Sequence, residues 1–302
     1  MSYSELIPLP GESAASTPPL ATSVSATQSA PEPAARPVAL RAARWRAAAR
    51  HLVPWLLPLL LLAAWEAASR SGTLSERVLP EPLAVVSAAL RLWRSGELWA
   101  DLVASAGRAL LGFAIGGGLG LWMGVATGLW RPVESVLDST LQMIRNIPPL
   151  ATIPLVILWF GIDESAKLFL VALGVFFPVY LNTYHGIRSV DAGLIEMARS
   201  YDLRGWALVR EVILPGALPS ILVGVRFALG LTWVMLIVAE TIAARSGIGY
   251  MTMNARDFLQ TDVILVGILL YALLGKLADL LAKLLEYALL PWQRGARRGA
   301  AR

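Results

Sequence analysis

From about residue 52 onward, long apolar runs alternate with short polar, arginine-bearing segments. Runs of this length and continuity predict membrane-crossing helices. They place spans at about 52–69, 107–129, 137–160, 166–185, 218–242 and 262–290. An all-α membrane protein with six spans is the fold expected, its transmembrane domain running over 51–292. Residues 1–50 are rich in Ala, Ser, Pro and Thr and end in Arg41, Arg44, Arg46 and Arg50, a composition unable to bury a core. They read as a disordered tail with an arginine anchor, a docking tail being the alternative. The run VPWLLPLLLLAAW at 53–65 has a leader too long for a cleavable signal and is expected to be an anchored first helix. Residues 293–302 form a basic tail.

Between the first two runs, residues 70–106 read as a mixed connector with Pro80 and Pro82, and 83–93 as a short amphipathic surface helix. In the second span Gly112, Gly116, Gly120, Gly124 and Gly128 recur every fourth residue. Such spacing lets another helix approach closely, within one subunit or between two. The third apolar region is interrupted by Asn146, Pro148, Pro149 and Pro154. Prolines there free carbonyl groups that need partners in protein or a water-lined cavity. Asn146, Pro148 and Pro149 therefore mark either a substrate route or a kinked structural helix. A short acidic hairpin, Gly161–Ser165, leads into the fourth span.

The polar segment 186–217 differs from every other connection. Glu196–Pro215, EMARSYDLRGWALVREVILP, carries Arg199, Arg204 and Arg210 with Glu196, Asp202 and Glu211. Two short helical patterns are legible: Leu194, Ala198 and Tyr201 share one face, and Trp206, Val209 and Ile213, joined by Val212, share another. Asp202 lies between them, where it can take a left-handed turn or cap the second helix. A surface helix-turn-helix between spans is shaped for a soluble partner to grip.

Composition narrows the class. Of 302 residues 56% are hydrophobic and 16% charged, with 11 Trp and a mean hydropathy of +0.61. Soluble proteins carry roughly 25% charged residues, so most of this chain faces lipid. The lack of cysteine removes disulfides, thiolate metal sites and thiol nucleophiles. A net charge of +5 reports membrane orientation rather than nucleic-acid binding. The N-terminal arginines, Arg131, Arg145, the arginines of 188–210 and the C-terminal arginines fall on one side, which places both termini in the cytoplasm. Arg70, Arg77, Arg91, Arg94 and Arg108 run against that bias, in a long loop that also carries Glu76, Glu81, Glu97 and Asp101.

Charges within or beside spans are costly and face the bundle interior or water. Arg226 suits an anionic route, or is a snorkelling or paired residue. Glu240 is a gate residue or an interface carboxylate. Lys276, Asp279, Lys283 and Glu286 have the spacing of helix-surface pairs, and Glu66 lies near the end of the first span. No GxxxxGK[ST], HExxH or GxSxG occurs, and His51 and His185 stand alone, so no catalytic machinery or metal site is visible.

The Glu196–Pro215 segment resembles the EAA loop of ATP-binding-cassette importer permeases: Glu-Ala-Ala, three residues, Gly, nine residues, then Ile-x-Leu-Pro. Glu196, Ala198, Leu214 and Pro215 match, with Val212 in the Ile position. Met197 and Asp202 depart from it; the Asp matters more because the Gly it replaces makes the turn, and Gly205 can relieve part of the strain. IPPLATIPLVILWFGIDESAK resembles the nitrate/sulfonate/taurine branch, and the last third, from Val212 to Asp262, resembles aliphatic sulfonate permeases. The likeness extends from about residue 60 to 292. It implies a type I importer bundle, paired as a permease homodimer in the bacterial inner membrane. It implies two copies of a separate ATPase subunit carrying ATP and Mg, and a periplasmic or lipid-anchored binding protein. This chain would bind no cofactor, meet membrane lipid, and offer Glu196, Ala198, Asp202, Gly205, Leu214 and Pro215 as its coupling loop, the Leu-Pro acting as a stop. Glu196 would hold the turn by pairing with an arginine or a backbone amide. The implied work is alternating-access transport of a small organic anion, an aliphatic sulfonate first, with taurine and nitrate as alternatives. An ion-coupled secondary transporter or a membrane scaffold are the rival classes.

Overall fold

Long apolar stretches set the longest helices, and helices make up all the regular structure of the described residues. The computed structural model describes Val53, 56–71 and 79–292; no strand occurs among these residues. The two expected tails, 1–50 and 293–302, and Leu52, Pro54 and Trp55 of the first expected span lie outside the described residues. The chain divides into two compact units, Met1–Pro58 and Leu59–Arg302. Of the first, only Val53 and 56–58 are described, all helical.

The second unit opens with helix α1 (59–70), whose Trp65 indole donates to the Pro80 carbonyl at 3.1 Å. Helix α2 (Pro82–Ser95) starts with proline at its first turn, where no N–H is needed, and ends on Gly96 at φ 83°. Helix α3 (Glu97–Leu129) begins ten residues before the expected second span. Leu98 at its start is buried with Val85, Ala88 and Ile248, so local burial extends the helix beyond the apolar run.

Helix α4 (Arg131–Arg145) and helix α5 (Ile153–Phe160), joined by a 3-10 turn at Pro149–Thr152, are bent by 84°. The expected third span is thus two helices, because Pro148 and Pro149 have no N–H to continue α4, and Pro154 falls in the first turn of α5, where none is needed. Helix α6 (Glu164–Arg188) is capped by Asp163, which accepts from the Glu164 N–H. Then follow α7 (Ala192–Ser200), α8 (Gly205–Leu208), a π turn (Val209–Ile213), α9 (Leu214–Ala243), α10 (Ile248–Asp257) and α11 (Thr261–Leu289). Helix α10 had no counterpart in the hydropathy pattern; with Arg256, Asp257 and Asn254 it is too polar to register as a span. Four described helices are long and apolar enough to cross a membrane, or five with the bent α4–α5 pair.

Helix α6 lies between α3 and α9. A Cβ on Gly112 would sit 2.5 Å from Val171 Cγ1, on Gly120 2.6 Å from the Phe176 carbonyl oxygen, and on Gly124 2.6 Å from Thr183 Cβ. Gly116 faces the Ala172 backbone and Gly128 faces Ile187. The glycine stripe is therefore filled by α6 of the same chain. On the other side, a Cβ on Gly224 of α9 would meet Asn182 Cβ at 2.6 Å, and Ser220 donates to the Asn182 carbonyl at 2.8 Å. This three-helix stack carries the core formed by Ala109, Val171, Val175, Val179, Ala228 and Leu236.

Candidate functional site

The chain gathers chemistry at the two ends of α9. At one end, Asp191 caps α7 by accepting from the Gly193 N–H at 2.7 Å. The helix closes at Ala198–Leu203: the Asp202 N–H donates to the Arg199 carbonyl at 3.0 Å and the Leu203 N–H to Ala198 at 3.1 Å. This is a Schellman closure, and Asp202 holds its left-handed position at φ 62°. Of the two roles open to Asp202, the left-handed turn is the observed one; α8 has no side-chain cap. Gly205 is also left-handed, at φ 56°.

Two expectations for this elbow need correction, and its exposure is a further finding. Leu214 and Pro215 do not stop a helix; they open α9, and the helical path runs unbroken from Gly205 to Ile242. Pro215 lacks an N–H, and the π turn before it absorbs the ring while Leu214 donates back to the Val209 carbonyl. Glu196 is exposed and makes no ion pair or side-chain hydrogen bond among the described residues. Finally, the two apolar faces pack little: Ala198 and Leu208 are buried, while Leu194, Met197, Tyr201 and Trp206 are exposed, Tyr201 at 78% and Trp206 at 70%. The elbow presents apolar and aromatic side chains outward beside Arg199 and Arg204.

At the other end of α9, Glu240 is completely buried rather than at an interface. It accepts from Ser105 Oγ at 2.8 and 2.9 Å, Arg108 at 2.8 Å and the Gly249 N–H at 2.9 Å, with Tyr271 Oη at 3.4 Å. Arg108 in turn donates two parallel bonds to Glu164, at 2.7 and 2.8 Å, and reaches the Ser246 carbonyl at 2.7 Å. Lys167 closes on Glu164 at 2.7 Å. Asp101 and Ser105 accept from the Gly247 and Ile248 N–H groups at 2.7 and 2.9 Å. The first turn of α10 is thus capped by side chains of α3 and α9. Gly247 and Gly249 permit it: a Cβ on Gly249 would lie 2.5 Å from Glu240 Cβ. Buried charges persist only when paired and fully hydrogen-bonded, and here the two cations match Glu164 and Glu240. Sequence reasoning singled out Glu240 and noted Arg108 only for orientation. An arginine in a glycine-rich apolar helix was itself the available signal.

Arg226 is not free for an anionic route. It is tied to Asp279 of α11 at 2.6 Å, and Asp279 also holds Lys283 at 2.9 Å. Asn146 ends α4 and, with Pro148, is exposed at the α4–α5 bend; Pro149 is half-buried. The elbow residues come together. The elbow, Arg226, Glu240 and the bend otherwise occupy separate places.

The chain thus combines four or five segments apolar enough to cross a membrane, one of them bent, with an exposed helix-turn-helix. The family model "Binding-protein-dependent transport system inner membrane component" matches residues 116–290, and the chain belongs to that family. It is 64% identical over 242 residues to the putative aliphatic sulfonates transport permease protein SsuC of Escherichia coli (strain K12), covering 80% of this chain and 92% of that one. The Bacillus subtilis (strain 168) protein of the same name is 48% identical, covering 79% and 86%. The taurine transport system permease protein TauC of Escherichia coli (strain K12) is 37% identical, covering 77% and 86%. Among solved structures, an amino acid ABC transporter shares the fold at a TM-score of 0.50 and 20% identity, covering 65% of this chain and 96% of that one.

Proposed function

We propose that the chain is the permease subunit of an ATP-driven importer of aliphatic sulfonates. The observation that carries this is the 64% identity to a relative of that name across 92% of its length; the taurine relative, at 37%, stands further away. Two copies form a six-span-per-subunit pair in the inner membrane, with both termini cytoplasmic. A separate ATPase subunit, in two copies, binds ATP and Mg; a periplasmic or lipid-anchored protein delivers the anion. Glu196, Ala198, Asp202, Gly205, Leu214 and Pro215 build the elbow that receives the ATPase. The outward Met197, Tyr201 and Trp206 supply apolar anchors for that contact. Because the elbow continues into α9 without a break, displacement there reaches Glu240, about 50 Å away at 1.5 Å per residue. Closure of the ATPase pair would then rock the bundles between inward and outward access.

The test is reconstitution of the chain with its ATPase and binding protein in liposomes. ATP-dependent uptake of ethanesulfonate, in preference to taurine and nitrate, is expected. Uphill uptake by this chain alone on an ion gradient would sink the reading.

A further inference from the structure

Helix α2 divides into three faces at the helical repeat. Val85 and Ala88, joined by Ala89 and Leu92, turn inward and pack in one cluster with Ile248, Met251 and Val263 of α10 and α11. Ser87, Arg91, Arg94 and Ser95 share a second sector and are all exposed. From it Arg91 donates to Asp262, in the first turn of α11, at 2.8 Å. Leu83, Val86, Leu90 and Trp93 fill the third sector, an arc of roughly 80°. They are 61, 56, 52 and 57% exposed, and the Trp93 indole N–H is the one side-chain polar group among them. Trp93 meets Trp99, in the first turn of α3, edge to face at 6.1 Å, and Trp99 is exposed as well. Two more exposed tryptophans, Trp122 and Trp130, stand about 35 and 47 Å further along α3 at 1.5 Å per residue.

A contiguous apolar stripe on a surface marks a contact. Helix seams inside membranes are built on small residues, and this stripe is Leu, Val, Leu and Trp. Docking surfaces for soluble partners are about as polar as the rest of a protein, and the stripe carries no charge. Tryptophan favours the boundary between hydrocarbon and headgroups, and the spacings along α3 match a hydrocarbon core of about 30 Å and a whole bilayer of about 40–45 Å. We infer that α2 is a lipid-binding interfacial helix. Its outer stripe beds in the leaflet at the Glu240 end of α9, Trp93 and Trp99 lie at headgroup depth, and Arg91 and Arg94 face water. Gripping lipid on one face and α10 on the other, α2 holds the locked end of the bundle at a fixed depth. The elbow, at the far end of α9, has no such anchor on its own short helices. The inference goes beyond the importer reading and needs neither the ATPase nor the substrate.

The chain has no cysteine, so one introduced cysteine carries a nitroxide label without background. The full-length chain is labelled at Leu83→Cys, Val86→Cys or Leu90→Cys in the outer stripe, and at Ser87→Cys or Arg94→Cys in the polar sector. Each variant is placed in liposomes of phosphatidylethanolamine and phosphatidylglycerol. The label's collisions with oxygen, which collects in lipid, are compared with those of a water-soluble nickel chelate. The oxygen-to-nickel ratio in the outer stripe is at least about fivefold that in the polar sector. Three outer positions keep the readout if one variant misfolds. A smaller difference overturns the proposal. Free access of nickel to the stripe then places it in water, and exclusion of both colliders with an immobilised label places it under a second copy or another protein. Either result leaves the importer reading standing, because no uptake enters the measurement.

Discussion

The short helices flanking α9 close in the same way, and what differs is how each is held to the bundle. At each end a short helix closes in a Schellman turn on a left-handed residue that is not glycine: Asp202 at φ 62° after α7, Leu259 at φ 56° after α10. At the Asp202 end almost nothing else holds the turn; its salt bridge to Arg204, at 3.2 Å, is exposed on both sides. At the α10 end, the first turn is bound to three carboxylates and hydroxyls from α3 and α9, and Glu240 has no exposed side-chain surface. A surface ion pair contributes little, whereas breaking a buried one strands a charge. One end is exposed and lightly held and the other is a fixed knot, with a continuous helix between them.

That contrast is tested most severely by Arg108→Ala, which leaves Glu240 buried and unpaired. A loss of about 3–5 kcal/mol is expected, read as a large fall in thermal midpoint of the purified protein. Pairing the change with Glu240→Leu should recover much of the loss, because no uncompensated charge then remains. A single variant as stable as wild type would mean the knot is ornamental. Next comes Gly249→Ala, whose new methyl must push into Glu240 Cβ. About 1–3 kcal/mol should be lost, against about 1 kcal/mol or less for Gly205→Ala, where nothing lies within 4 Å and only the left-handed backbone opposes the methyl.

A matched pair of stabilising changes sharpens the comparison further. Asp202→Gly and Leu259→Gly each relieve a left-handed residue and should each gain about 1 kcal/mol at most. Denaturant midpoints would report it; a loss at Asp202 would show that its link to Arg204 outweighs the backbone strain. Least visible in stability, Glu196→Ala and Trp206→Ala should stay within about 0.5 kcal/mol of wild type. Both should nevertheless reduce co-purification of the ATPase subunit. Full co-purification and normal transport from both would remove the elbow from the coupling path.

Much of this architecture is legible in one dimension. The apolar runs mark α3, α6, α9 and α11, and the four-residue glycine spacing marks a helix contact because a close approach needs missing side chains wherever it occurs. The prolines at 148, 149 and 154 mark the bend because three lie within seven residues, whereas the single Pro178 and Pro219 are carried inside α6 and α9. The place of Asp202 between two helical patterns left a left-handed turn and a cap of the second helix both open, and the backbone decided for the turn. The direction of Leu214–Pro215 could not, because proline is tolerated at a helix start and disruptive inside one, and only the preceding π turn tells the two apart.

The polar partners were the least legible. Glu240 meets Ser105 and Arg108, more than a hundred residues earlier, and Arg226 meets Asp279 on another helix. No periodicity encodes such pairings; they follow from which faces of α3, α6, α9 and α11 turn toward each other once packed. Hydropathy and backbone chemistry are local properties, so the sequence by itself determined a helical membrane protein, its bend and its elbow. Electrostatic neutralisation acts across space, so the tertiary structure alone decided that Glu240 is locked and that Arg226 is occupied.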